Sequence, residues 1–375
     1  MVSNVINSSW VRNTDLSDFT TVTDGQEEGK EYNGTDVDSW PYFHLLGFEY
    51  WVIVVIIVSL GLLGNGFSFL LMSDGQFSLL SYPIYLKALA VSDSAQLITM
   101  LVEETQMAFG FNEVSNFSDV VCKLWQYVRY GTMMLSPWLV VGLSLDRLVC
   151  VLFPMTRDRF CTKKKALVVC CCLALMFAVV MLPVLTSLRV EGGLCGGSRV
   201  SDALIALFIA IRLILSSTLP CLLIVILNVA IIDRIRRSAT FRKSFPPSSR
   251  SDRNNQDSST RPLVLVSVIA FLTLLPFSIT ECVQVLLNLT QIDLKALLLT
   301  KEIWPLFHLI YMINFGINFF ILMASSAKYR NIFATKMKCL YCQQKYRLNL
   351  RSTSQTSTIT TSFTDEATTR TETDM

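Results

Sequence analysis

Charge is scarce in this sequence. Of its 375 residues 52 % are hydrophobic and only 16 % are Asp, Glu, Lys or Arg, where a soluble domain carries about 25 % charged residues. That shortfall argues against a water-soluble globule, because the apolar remainder is gathered into long blocks. Signs of catalysis are missing as well. No cluster of His, Cys, Asp and Glu is spaced for a metal, no glycine-rich phosphate loop occurs, and no nucleophile stands in a recognisable constellation with a base. The chain does not read as an enzyme, and nothing in it calls for a nucleic-acid partner. Residues 1–40 are polar, so a targeting peptide at the amino terminus is not expected. The first hydrophobic run, from Tyr50, is left to insert the chain. No internal repeat is visible.

What is present is a series of seven apolar blocks, near residues 48–72, 82–108, 120–152, 164–188, 202–233, 262–289 and 296–323. A helix needs about 20 apolar residues to cross the hydrocarbon core. Barrel strands would alternate apolar and polar residues over runs of about ten, and these blocks do not. The expected fold is an all-α membrane protein, a seven-transmembrane helix bundle. Its expected divisions are an acidic amino terminus over 1–47, the bundle over 48–323, a short amphipathic helix over 324–342 and a polar tail over 343–375.

Orientation follows from Lys and Arg in the connections. Arg157, Arg159, Lys163, Lys164 and Lys165 lie between blocks three and four, and Arg234, Arg236, Arg237, Arg242, Lys243, Arg250, Arg253 and Arg261 between five and six. Lys328, Arg330, Lys336 and Lys338 follow block seven. These segments are expected in the cytoplasm, which puts the amino terminus outside and the protein in the plasma membrane. The sequons at Asn7, Asn33 and Asn116 then fall on the exterior side as glycosylation acceptors, as does Asn288, close to the membrane. Of eleven cysteines, Cys122 and Cys195 lie on the side that permits disulfides, and a bridge between them would pin the glycine-rich loop "EGGLCGGS" to the top of helix three. Cys170, Cys171 and Cys172 read as apolar filling.

The stretch "LSLDRLVCVLFP" sets Asp146 beside Arg147 within an apolar run. Cys122 precedes Arg147 by 25 residues, about 37 Å of helix, so the pair belongs near the cytoplasmic boundary, where such charges can snorkel. Seven blocks, this pair and this spacing resemble the rhodopsin-like (class A) G-protein-coupled receptors over residues 48–340. Asn65 in "GLLGNGFSF", Asp93 in "KALAVSDS", Pro220, Pro276 in "FLTLLPF" and Asn318 in "NFGINFFIL" fall in the family's order. The Asn-Phe version of the last motif resembles invertebrate neuropeptide receptors of the FMRFamide type. The chain also departs from the family: Leu148 replaces the tyrosine after Asp-Arg, Phe319 and Leu322 replace the proline and tyrosine of helix seven, and Asn228 and Leu274 replace a tyrosine and a tryptophan of helices five and six.

The resemblance implies a receptor that binds an extracellular ligand and activates a heterotrimeric G protein. Asp146 would restrain Arg147, with Asn318 and a hinge at Pro276 taking part in an outward move of helix six; ligand binding would act by population shift. A partner for Arg147 on helix six is not evident, since Gln256 and Asp257 lie near that place and Pro262 is expected to start a shortened helix. Asp93, Ser136 and Asn314 match the family's sodium site; the alternative is an Asp93 hydrogen-bonded for packing. Glu103, Glu104, Arg129, Arg212, Glu281, His308 and Tyr311 match positions that line the ligand cavity, unless they merely pair with one another. Arg129 stands where amine receptors carry an acid, which disfavours a monoamine. Two ligand readings remain: a cationic peptide received by the glutamates, or a carboxylate clamped by the arginines, with a slight balance toward peptide.

After block seven, Ile332, Phe333, Met337 and Leu340 among basic residues suit an interfacial helix lying against membrane lipid, with Cys339 and Cys342 as palmitoylation candidates. The Ser/Thr-rich tail would bind an arrestin once phosphorylated, and its terminal Thr373-Asp374-Met375 resembles a PDZ ligand. A transporter would show inverted repeats and broken helices. A decoy receptor that binds without coupling is a further alternative, resting on the missing tyrosines.

Overall fold

In the computed structural model the described residues are 48–153, 156–191, 193–198, 207, 210–244, 251–290, 294–339 and 341–342. Seven long helices follow in order: α1 (Phe48–Met72), α2 (Tyr82–Phe109), α3 (Asp119–Leu152), α4 (Lys163–Val180, continued by Leu182–Ser187), α5 (Leu219–Ser244), α6 (Ser251–Thr290) and α7 (Leu294–Asn314, continued by Asn318–Ser325). A hairpin of β1 (Leu188–Glu191) and β2 (Leu194–Ser198) separates α4 from α5. Five of these helices are long and apolar enough to cross a membrane, and the bent pair forming α7 makes a sixth. The remaining helix, α2, carries Lys87, Asp93, Glu103 and Glu104 and is not among these spans. Outward faces bear large apolar side chains such as Ile56, Leu63, Leu175 and Val179, as a lipid-facing surface requires.

The helix ends are set by local chemistry. Ser118 caps α3 by accepting from the N–H of Val121, and Thr162 caps α4 by accepting from Lys165. α2 ends at Gly110, whose φ of 64° lies in the left-handed region that glycine enters without a Cβ penalty. A π turn over Ile214–Thr218 precedes α5, and the indole N–H of Trp138 on α3 donates to the Leu215 carbonyl at 2.8 Å. Such turns leave carbonyls out of the helical ladder, and Trp138 satisfies this one.

α7 bends by 61° across Phe315–Ile317 without a proline at the break. Two features replace it. The Phe315 carbonyl accepts from Asn65 Nδ2 of α1 at 2.9 Å, satisfying a backbone group within the break. Gly316 packs directly on Gly61, so close that a Cβ added at Gly316 would lie 2.5 Å from the Gly61 Cα. Pro262 differs from its expected role: it lies within α6, which begins at Ser251. A proline removes one backbone hydrogen bond and strains one turn, and here the helix continues through it rather than starting at it. α5 likewise extends past residue 233, to Ser244.

A core of Val54, Val58, Leu97, Met100, Met133, Leu274, Phe277, Tyr311, Met312 and Phe315 joins α1, α2, α3, α6 and α7. The segment beyond Ser325 is a separate unit, in which residues 327–339 are helical and Cys339 and Cys342 are exposed. Asn7, Asn33 and the Ser/Thr-rich tail lie outside the described residues.

Candidate functional site

The chemistry gathers at the two ends of the bundle and in its middle. At one end Cys122, the fourth residue of α3, is bonded to Cys195 of β2. The hairpin is held further by Asp119, which accepts from the Val190 N–H at 2.8 Å, and by Asn116 Oδ1, which accepts from the Cys195 N–H at 2.7 Å. Asn116 therefore fastens this loop through its oxygen.

Beneath the hairpin the ionisable side chains pair across helices. Glu103 of α2 meets Arg129 of α3 at 2.7 Å and accepts from the indole of Trp125 at 3.3 Å. Arg212, just before the π turn, meets Glu281 of α6 at 3.5 Å. Both guanidinium groups lie 5.3 Å from the ring centroid of Tyr130, a cation–π arrangement. Glu104 lies 3.5 Å from His308 Nδ1 of α7, and that nitrogen also shares a hydrogen bond with the Tyr50 hydroxyl of α1 at 2.9 Å. His308 stacks on Trp304 at 4.4 Å, and Tyr311 on Phe277 at 4.2 Å. All seven residues singled out from the sequence thus occupy one region, joined by Tyr50, Trp125, Tyr130 and Trp304. Sequence reasoning missed those four because aromatic residues in an apolar run read as packing.

In the middle, Asp93 is fully buried and accepts from Ser136 at 2.5 Å and from Asn318 at 3.0 Å. Asn314, grouped with Asp93 and Ser136 from the sequence, instead accepts from Thr273 of α6 at 3.0 Å. Asn318 takes its place on the carboxylate.

At the opposite end Arg147 is buried and paired with Asp146, and both bond to Ser81, at the start of α2. The Ser81 hydroxyl donates to Asp146 at 2.8 Å and accepts from Arg147 at 3.1 Å. The guanidinium also lies 5.0 Å from the Tyr82 ring centroid. Among the described residues its Nε has no hydrogen-bond partner. Asn228 of α5 accepts from Ser267 of α6 at 2.7 Å, both residues buried. That bond joins the two helices where the family carries its tyrosine. Pro276 lies within α6, one residue before Phe277 of the stacked aromatic pair.

The bundle thus holds a buried acid–base pair at one end, a buried carboxylate in the middle and a field of paired charges at the other end. The model of the seven-transmembrane receptors of the rhodopsin family matches residues 76–322, more than half of the chain. The chain belongs to that family. As a rhodopsin-family receptor it is a multi-pass membrane protein of signal transduction and not an enzyme. Its curated relatives include apelin receptor B of Xenopus laevis, 27 % identical over 159 residues, 42 % of each chain, and the apelin receptor of Xenopus tropicalis, 28 % identical over 38 % of this chain and 39 % of the relative. Another is cysteinyl leukotriene receptor 1 of Sus scrofa, 25 % identical over 35 % of this chain and 38 % of the relative. The matched segments span about two fifths of the length of these relatives.

Proposed function

We propose that this receptor lies in the plasma membrane with its amino terminus outside, binds an extracellular peptide at the disulfide end and activates a heterotrimeric G protein at the Asp146–Arg147 end. The observation that carries the reading is the set of paired charges below the hairpin. Taking Glu103, Arg129, Arg212 and Glu281 out of water costs more than packing alone returns, whereas a charged ligand can take the place of one internal partner. A cationic group entering between Arg212 and Glu281, whose contact is the longer at 3.5 Å, would claim the glutamate and release the arginine. Glu281 is on α6, so exchanging its partner acts on the helix that Ser267, 14 residues earlier, ties to Asn228. Ligand binding is thereby linked to that tie through differential contacts.

An amidated Arg-Phe type peptide is the class proposed. The acidic segment 1–50 would raise its on-rate by steering, and a likeness to receptors named for apelin supports a peptide over a monoamine. A carboxylate held by Arg129 and Arg212 is the second reading, supported by their shared approach to Tyr130, each guanidinium 5.3 Å from its ring centroid.

Further parts of the proposal concern the middle and the carboxyl end. Asp93 and Ser136 offer carboxylate and hydroxyl oxygens of the type that holds a sodium ion; Asn314 could join them only by releasing Thr273. Glycans at Asn7, Asn33 and Asn116, palmitoyl groups at Cys339 and Cys342, lipid contact by the helix over 327–339, and arrestin or PDZ partners for the tail complete the reading. The reading is tested by G-protein dissociation in cells expressing the receptor, screened against amidated peptides and small carboxylates beside Arg147→Ala. A ligand-dependent signal lost in that variant supports coupling. Ligand binding without a signal from any subtype would instead favour a decoy, for which Leu148, Asn228 and Leu322 are the observations.

A further inference from the structure

Cys150 and Cys161 stand 2.7 Å apart, sulfur to sulfur. Cys150 is buried on α3, four residues beyond Asp146, and Cys161 is half-buried in the connection to α4, one residue beyond the helical turn Arg157–Phe160. The Cys161 sulfur is also 3.7 Å from the Asp146 carbonyl oxygen. The connection is thus folded back on α3 beside the Asp146–Arg147 pair.

Asp146, Cys150 and Cys161 bring three potential metal-ligand atoms within 4.8 Å of one another, but their geometry does not suit a metal. Thiolates sharing a tetrahedral zinc at about 2.3 Å would be about 3.8 Å apart, well beyond 2.7 Å. The Asp146 carboxylate, moreover, is occupied by Arg147 and Ser81. The sulfur separation is closer to that of a covalent bond, about 2.05 Å.

We propose that Cys150 and Cys161 are a reversible thiol–disulfide pair, whose oxidised form clamps the α3–α4 connection to α3 beside Asp146 and Arg147. With the orientation proposed above the pair faces the cytoplasm, where reduction is the resting condition, so the bond is a switch rather than a permanent staple. Glutathione disulfide supplies the oxidising equivalents. The Cys161 thiolate attacks one sulfur of glutathione disulfide and expels a glutathione thiolate, forming a mixed disulfide. The Cys150 thiolate then attacks the Cys161 sulfur and expels the second glutathione. Two receptor thiols are oxidised, one glutathione disulfide is reduced to two glutathiones, and the two thiol protons pass to them through solvent. Hydrogen bonding with Cys150, and then burial, hold the Cys161 thiol above the usual cysteine range. The first step is therefore slow at neutral pH, while proximity makes the second fast. A closed link would retain the arrangement in which Asp146 holds Arg147 and so lower coupling; that consequence and the reduced resting state rest on the function proposed above, whereas the linkage itself does not.

The test uses the full chain in membranes from expressing cells. The membranes are exposed to glutathione disulfide, remaining thiols are blocked with N-ethylmaleimide, and the receptor is digested with trypsin without reductant. The expected product joins the peptides Leu148–Arg157 and Phe160–Lys163, lighter by two hydrogens than their sum and separated by dithiothreitol. Cys161→Ser removes it, and Cys150→Ser leaves glutathione on Cys161. Hydrogen exchange over residues 150–163 should slow severalfold on oxidation and recover on reduction. Maleimide on both cysteines after the oxidant overturns the proposal. So does glutathione resting on wild-type Cys161, labelling that appears only with a zinc chelator, or exchange unchanged by the linkage. Neither readout involves a ligand or a G protein, so a failure here is distinct from a failure of coupling.

Discussion

Gly316→Ala should destabilise the bundle by pushing α1 and α7 apart. The added Cβ would lie 2.5 Å from the Gly61 Cα and 3.4 Å from the Gly61 nitrogen. Both are backbone atoms and cannot rotate away. Ordinary carbon contact is about 3.5–4.0 Å, so the helices must separate by about 1 Å. The Asn65 to Phe315 bond, 2.9 Å at present, would lengthen past the range of about 2.7–3.2 Å in which such bonds hold. Overpacking costs about 1–3 kcal/mol and the lost bond about 0.5–1.5 kcal/mol. No helix-propensity gain offsets this, because Gly316 lies in the break. A net loss of about 2–4 kcal/mol corresponds to a fall in Tm of about 4–16 °C at 2–4 °C per kcal/mol. The assay is thermal unfolding in detergent followed by size-exclusion fluorescence. Gly66→Ala is the control: it is on α1, exposed, with nothing within 4 Å of its added Cβ, and should be neutral or stabilising by up to about 1 kcal/mol. A Gly316→Ala receptor that melts with the Gly66→Ala control would refute the close-contact reasoning.

Ser267→Ala removes the bond to Asn228, freeing α6 from α5, and should raise ligand-independent nucleotide exchange by the G protein; a lower basal rate would contradict the tie. Glu103→Gln leaves Arg129 buried with a neutral partner and should cost about 3–5 kcal/mol if the pair is broken, read as lost thermal stability that Arg129→Met in the same chain partly restores. Trp138→Phe orphans the Leu215 carbonyl in the π turn and should cost about 1–3 kcal/mol, with faster hydrogen exchange over 213–219. Unchanged exchange there would mean water replaces the indole.

The helices were legible because apolar blocks of this length leave few alternatives in lipid, and the Cys122–Cys195 bridge because few cysteines fall on the hairpin side. The charged residues below the hairpin were recognisable individually. Their pairing was not: whether Glu103 or Glu104 takes Arg129 depends on helix rotation, which the pattern of a helix charged on several faces does not fix. Asn318 reaches Asp93 because the bend at Gly316 redirects the last segment, and a bend without proline leaves no strong mark in the sequence. Glycine opposite glycine is seen only when α1 and α7 are placed side by side. Pro262 misled for the opposite reason: proline favours the first turn, yet an interior position costs only one bond and a strained turn. The Cys150–Cys161 approach needed the connection to fold back, which its residues do not announce.

The most direct test of the charged pairs as the ligand seat is a dose–response comparison of wild type, Glu281→Gln and Arg147→Ala with one active amidated peptide. Losing a charged hydrogen bond costs about 1.5–3 kcal/mol, or at least tenfold in potency at 1.4 kcal/mol per decade. Glu281→Gln should therefore shift the curve right by about tenfold or more at the same maximum, while Arg147→Ala abolishes the maximum and leaves peptide binding in place. Unchanged potency in Glu281→Gln, with normal surface expression, would contradict the seat.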